Sequence, residues 1–101
     1  MSEIVVDYGD GWKYIVSDTV VGFKIVCLNE PTLKLKRVEI LLDGRILKIQ
    51  AVSNDMIRFK YNLTEIEQKS LKEKFANAIK SNNKDDIMKL FVYIISTYTY
   101  L

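Results

Sequence analysis

The amino-acid sequence predicts an α+β fold, a curved six-stranded antiparallel β-meander followed by two C-terminal α-helices packed on one face. Asp43-Gly44 lies between two β-rich runs and suits a two-residue type I′ hairpin turn, which needs positive φ at both positions. All the turns up to residue 63 agree on which side chains share a face. Beyond residue 63 the apolar period changes from strand to helix. We expect a single domain over residues 1–101.

Six runs of β-branched and aromatic residues, separated by turn residues, mark the strands. They cover about residues 3–8, 12–17, 20–28, 33–42, 45–52 and 56–63. The turns between them are predicted at 9–11, 18–19, 29–32, 43–44 and 53–55. Pro31, the only proline, lies in the third of these turns.

These turns define a register in which Ile40 lies opposite Leu47 and Arg37 opposite Gln50. A slip of one residue at any turn would move a whole strand's apolar side chains to the other face. In the predicted register, only Lys36 clearly interrupts the apolar face. That face collects Ile4, Val6, Tyr8, Trp12, Tyr14, Val16, Val21, Phe23, Ile25, Val38, Ile40, Leu47, Ile49, Ile57, Phe59 and Tyr61.

Two helices are predicted after the sheet, over residues 64–80 and 84–97. Thr64 and Glu67 have the spacing of a capping box, and Asn83 can cap the second helix. The second helix is apolar nearly all round, which predicts burial on all sides. A chain of 101 residues has little room to enclose such a helix. We therefore expect a homodimer that covers it.

The composition of the chain excludes several classes of catalytic and metal-binding site. The chain has no histidine, which excludes histidine general bases, Ser-His-Asp sites and His-containing zinc sites. No phosphate-binding glycine motif or metal-ligand cluster is present, so we expect no catalysis, cofactor or metal. Cys27, the single cysteine, is expected to be a buried small hydrophobe. The sequence shows no signal peptide and no apolar run long enough to span a membrane, which predicts a cytoplasmic protein.

The charged face of the predicted sheet is the candidate site. One row across it reads Asp7, Lys13, Lys24, Arg37, Gln50 and Arg58, and the next reads Val5, Ile15, Gly22, Glu39, Lys48 and Lys60. Glu39 is the only acid inside the patch. Clustered cations bind polyanions because each neutralised phosphate releases counterions. The patch predicts binding of DNA or RNA with little sequence preference, through Lys13, Lys24, Arg37, Lys48, Arg58 and Lys60.

Two alternatives stay open. In the first, the lysines and arginines of the outer face are only solvated, as is common on strands. Every sheet aromatic falls on the opposite face, so the basic patch has no aromatic side chain on which a base could stack. The ends of the charged face are apolar, which favours a protein–protein interaction module such as an inhibitor or regulatory subunit. These end residues are Val20, Leu41, Ile46, Val26, Leu28, Leu33, Leu35, Val52 and Met56. The Ile-, Lys-, Asn- and Tyr-rich composition is typical of AT-rich genomes and fits a viral or plasmid product.

The stretch KYNLTEIEQKSLKEKF, residues 60–75, resembles the passage from last strand to helix in single-strand-binding proteins of the transcriptional-coactivator type. That resemblance implies a curved antiparallel sheet followed by a helix that builds a dimer. The chain departs from it by having six predicted strands and a second helix. The resemblance concerns architecture, and it assigns no residue a role.

Overall fold

The structure, a computed structural model, describes residues 3–29, 36–52 and 57–99. Neighbouring strands pair in chain order and antiparallel, and the sheet is open. The predicted α+β meander with two C-terminal helices is confirmed. The elements are β1 (Glu3–Gly9), β2 (Trp12–Asp18), β3 (Gly22–Asn29), β4 (Lys36–Asp43), β5 (Ile46–Val52), β6 (Ile57–Asn62), α1 (Glu65–Ser81) and α2 (Lys84–Tyr98).

The core lies between the helices and one face of the sheet, called here the inner face. Aromatic contacts connect the two layers: Phe23 stacks on Phe75 with ring centroids 5.3 Å apart, and Tyr14 meets Phe91 edge-on at 5.4 Å. The central inner row crosses all six strands with apolar side chains only. It consists of Ile4, Val16, Ile25, Ile40, Ile49 and Phe59. The helices complete the core with Leu71, Phe75, Ala78, Ile87, Leu90, Ile94 and Tyr98.

The predicted register is confirmed for two strand pairs and wrong for three. Asp7 lies opposite Lys13, and Gln50 opposite Arg58, as expected. The β2–β3 and β3–β4 pairings each slide by four residues, and β4–β5 slides by two. Each slide is an even number, so the side chains keep their faces while the rows across the sheet change. The prediction that Ile40 pairs with Leu47 is corrected to Ile40 with Ile49.

Turn chemistry accounts for two of these slides. Between β2 and β3, the Thr19 hydroxyl accepts a hydrogen bond from the Gly22 amide at 3.0 Å, so the loop is longer than the predicted Asp18-Thr19 pair. Between β4 and β5, the loop is Gly44-Arg45 rather than Asp43-Gly44. Gly44 has φ +56°, and the Arg45 guanidinium donates to the Leu63 carbonyl at 2.8 Å. That bond fixes the turn against the end of β6.

The predicted caps are confirmed at both helices. The Thr64 hydroxyl accepts from the Glu67 amide, and the Glu67 carboxylate accepts from the Thr64 amide, as a capping box requires. These bonds lower the pKa of Glu67. The Tyr98 hydroxyl, at the end of α2, donates to the same carboxylate at 3.3 Å. At the second helix, the Asn83 side chain accepts from the amides of Asp85 and Asp86.

The single chain leaves one face of α2 exposed, so the expected burial on all sides would need a second chain. One face packs into the core through Ile87, Leu90 and Ile94, while Lys89, Ser96 and Thr97 are exposed. Val92 is 50% exposed. The sheet covers only part of the apolar surface of α2, because Tyr93 is also exposed, at 39%. Among the described residues, neither helix is both long and apolar enough to cross a membrane.

Candidate nucleic-acid interface

The outer face of the sheet, opposite the helices, carries the predicted basic residues in an arrangement that differs from the expected rows. One observed row contains three of the six cations, with an aliphatic residue between the first and the second. It reads Glu3, Ser17, Lys24, Leu41, Lys48 and Lys60, and the row beside it reads Val5, Ile15, Val26, Glu39, Gln50 and Arg58. The predicted neighbours Lys24 and Arg37 are not opposite each other, since Lys24 faces Leu41 and Arg37 faces Leu28.

Two of the six predicted cations are bound to a carboxylate within the protein. Glu39 accepts from the Lys24 ammonium at 3.0 Å and from the Arg37 guanidinium at 3.0 Å. All three side chains are about one-third exposed, so they are partly shielded from water. Lys24 and Arg37 are therefore partly neutralised before any polyanion approaches.

Three of the predicted cations lie together on the last two strands. Lys48 is directly opposite Lys60, and Arg58 lies two residues from Lys60 on the same face; all three are exposed. Like charges directly opposite each other destabilise a strand pair. The outer positions of β5 and β6 contain no acid, and the nearest described acids, Glu39 and Asp43 on β4, lie diagonal to Lys48. We call Lys48, Arg58 and Lys60 the basic cluster.

Lys13, the sixth predicted cation, is separated from the basic cluster. It lies on β2, opposite Asp7 on one side and Leu28 on the other. Two further strands separate β2 from β5. With strands about 4.8 Å apart, this distance exceeds a Debye length at physiological salt. Lys13 is outside the site that the structure assembles.

Arg45 is a cation that the sequence prediction missed. It is exposed in the β4–β5 turn, at the end of the strand pair that bears the basic cluster. The hydrogen bond from its Nε to the Leu63 carbonyl fixes the position of the guanidinium next to the end of β6. The prediction assigned residue 45 to the start of a strand, so only the correct turn could have revealed it.

The apolar ends of the outer face differ in their exposure. Val26 is 4% and Leu28 9% exposed, while Leu41 and Ile46 are half-buried. Val20 differs: it lies in the β2–β3 turn and is 92% exposed. Leu33, Leu35, Met56 and the side chain of Val52 lie outside the described part. Of the five described apolar residues at these ends, two are thus buried, two are half-buried and one is exposed.

Cys27 is buried on the inner face, opposite Tyr14. Burial raises the pKa of its thiol, which disfavours the nucleophilic thiolate. The expectation that Cys27 is a buried hydrophobe is confirmed.

Comparisons of the chain with protein-family models, with curated proteins and with solved structures found no match.

Proposed function

We propose that the chain is a small non-catalytic protein that binds nucleic acid through phosphate contacts, without a metal or cofactor. The cross-strand pair of Lys48 and Lys60, with Arg58 beside it, carries the proposal. Of the six cations that the sequence suggested, these three are the principal contacts. Lys24 and Arg37 are secondary because Glu39 already binds them.

Repulsion between the lysines supports this assignment. Repulsion between two ammonium groups on adjacent strands lowers the stability of the free protein. A bound phosphate would relieve that repulsion and release counterions from the nucleic acid. The guanidinium of Arg58 could also bind two phosphate oxygens at once. No outer-face aromatic of β5 or β6 is present to stack on bases, which favours contact with the backbone over sequence reading.

The test is fluorescence anisotropy with labelled single- and double-stranded oligonucleotides at two salt concentrations. Changing Lys48 and Lys60 to Glu should weaken binding strongly and reduce the log–log salt slope by about 2, because two phosphate contacts are lost. The matched control changes Lys72 and Lys89 to Glu. Both are exposed lysines of the helical layer, so the net charge changes equally while the outer face stays intact.

Equal losses in the two variants would show that overall charge, and not the basic cluster, produces the binding. Absence of wild-type binding at low salt would reject the proposal. In that case a protein-interaction module becomes the better candidate. One observation favours it: Val20 and Val21 lie side by side in the β2–β3 turn, 92% and 53% exposed.

Three further expectations stay predictions. The prediction of a homodimer is now based on the exposed side chains of Val92 and Tyr93 in α2. They form a smaller apolar surface than the sequence suggested. Cytoplasmic location and a viral or plasmid origin rest on the sequence alone.

A further inference from the structure

Within residues 3–29, 36–52 and 57–99, the sheet has two free edges. There β1 pairs only with β2, and β6 only with β5. Edge strands expose unpaired backbone donors and acceptors that another strand can pair with. β1 is also held in place at its end, where the Tyr8 hydroxyl donates to the Asp85 carboxylate of α2 at 2.8 Å. The register of β1 shifts between Asp7 and Gly9, so its regular edge runs from Glu3 to Asp7.

The two edges carry opposite charge on the outer face. β1 presents Glu3 and Asp7 there, with Val5 between them, and β6 presents Arg58 and Lys60. Val5 is 55% exposed. Pairing of β1 with β1, or of β6 with β6, would bring like charges together. Pairing of β1 with β6 brings opposite charges together.

Strand direction and side-chain pattern also match. The six strands alternate in direction, so β1 and β6 run oppositely, and β6 of a neighbouring copy can continue the antiparallel sheet beyond β1. With Asp7 opposite Arg58, Val5 lies opposite Lys60 on the outer face. On the inner face, Val6 then meets Phe59 and Ile4 meets Tyr61. On the inner face this register aligns apolar with apolar side chains. On the outer face it places the acid Asp7 against the base Arg58, while Val5 faces Lys60.

We propose that β1 of one chain binds β6 of a second copy, so that copies assemble head to tail into a continuous sheet. The contact is heterologous, because each copy contributes a different edge. It leaves one edge free at each end of a pair and so allows further copies to add. This interface is separate from the α2 surface considered for a homodimer.

Sedimentation velocity over a concentration series tests the proposal, using two charge-reversal variants. The acid-edge variant changes Glu3 and Asp7 to Lys, which makes both edges basic. The base-edge variant changes Arg58 and Lys60 to Glu, which makes both edges acidic. Wild type should assemble with rising concentration, and each variant alone should assemble at least about tenfold more weakly.

An equimolar mixture of the variants is the matched control, because basic and acidic edges then meet again. Assembly restored in the mixture supports the proposal. The proposal is overturned if the wild type stays a monomer at its highest soluble concentration. It is also overturned if the variants assemble as strongly as the wild type. Failure of the mixture to assemble also overturns it, provided circular dichroism shows both variants folded.

The inference is independent of nucleic-acid binding, although Arg58 and Lys60 take part in both. The acid-edge variant keeps the basic cluster intact, so it should still bind an oligonucleotide even where self-assembly is lost. A variant that loses assembly and keeps oligonucleotide binding separates the two.

Discussion

Gly22 is the residue at which the sheet has no space for a side chain. A Cβ there would collide with the Leu42 carbonyl group on β4. Gly22→Ala should therefore lower the free energy of unfolding by about 2 kcal/mol, measured by urea denaturation. Gly44→Ala is the control: a Cβ at residue 44 meets nothing within 4 Å, but φ is +56°. Its expected cost is about 1 kcal/mol, from the backbone alone. A Gly22→Ala variant as stable as the wild type would contradict the close approach of residue 22 to the Leu42 carbonyl.

Tyr14 gives the protein a pH dependence in the alkaline range. Burial, and the nearby Cys27 thiol, raise its pKa from 10.0 to about 12. Since the folded state favours the neutral phenol, this contribution to stability is complete below pH 10 and is lost as the pH rises towards 12. Tyr14→Phe should make urea stability fall less steeply over that range. Identical slopes for wild type and variant would show that Tyr14 is more solvated than its packing implies.

At the scale of single residues, the sequence predicts what depends on near neighbours. The helix caps at Thr64 and Asn83 follow from residues two or three positions away, and both are confirmed. The need for glycine at residue 22 depends on the pairing of β3 with β4, which is a long-range property. The ion pair between Lys24 and Glu39 joins β3 to β4 and could not be predicted for the same reason.

At the scale of elements, the capping box is expected to determine how firmly α1 begins. Thr64→Ala removes the hydroxyl that accepts from the Glu67 amide at 3.2 Å and should cost about 1 kcal/mol in urea unfolding. Thr64→Ser keeps the acceptor and is the control, with a much smaller expected loss. If serine and alanine destabilise equally, the hydroxyl contributes nothing and α1 is held by its packing alone.

The strands show which part of a sheet a sequence can specify. Side-chain faces follow from alternation and were predicted across the sheet, apart from turn residues such as Val21. Pairing registers were predicted for only two strand pairs, because slides of two or four residues leave every face unchanged. Only turn details, such as the Thr19 hydroxyl or the position of Gly44, distinguish these alternatives. The basic residues were therefore assigned to the correct face and to the wrong rows.

At the scale of the whole molecule, the distribution of charge matters more than the net charge of +2. The outer face is acidic at β1, neutralised around Glu39 and basic at β5 and β6. Such an asymmetric field orients a protein as it approaches a polyanion. The basic β6 edge would face the polyanion, and the acidic β1 edge would face away from it. Bound to nucleic acid, each copy would then offer its β1 edge to solvent.

The Glu67 carboxylate joins two helix ends that lie far apart in the chain. It accepts from the Thr64 amide at the start of α1 and from the Tyr98 hydroxyl at the end of α2. Helix termini normally fray independently, and their amides exchange with solvent hydrogen at separate, low free energies. Here the first turn of α1 and the last turn of α2 share one acceptor. Their amides should exchange as a single cooperative unit, so that the two ends of the helical layer open together.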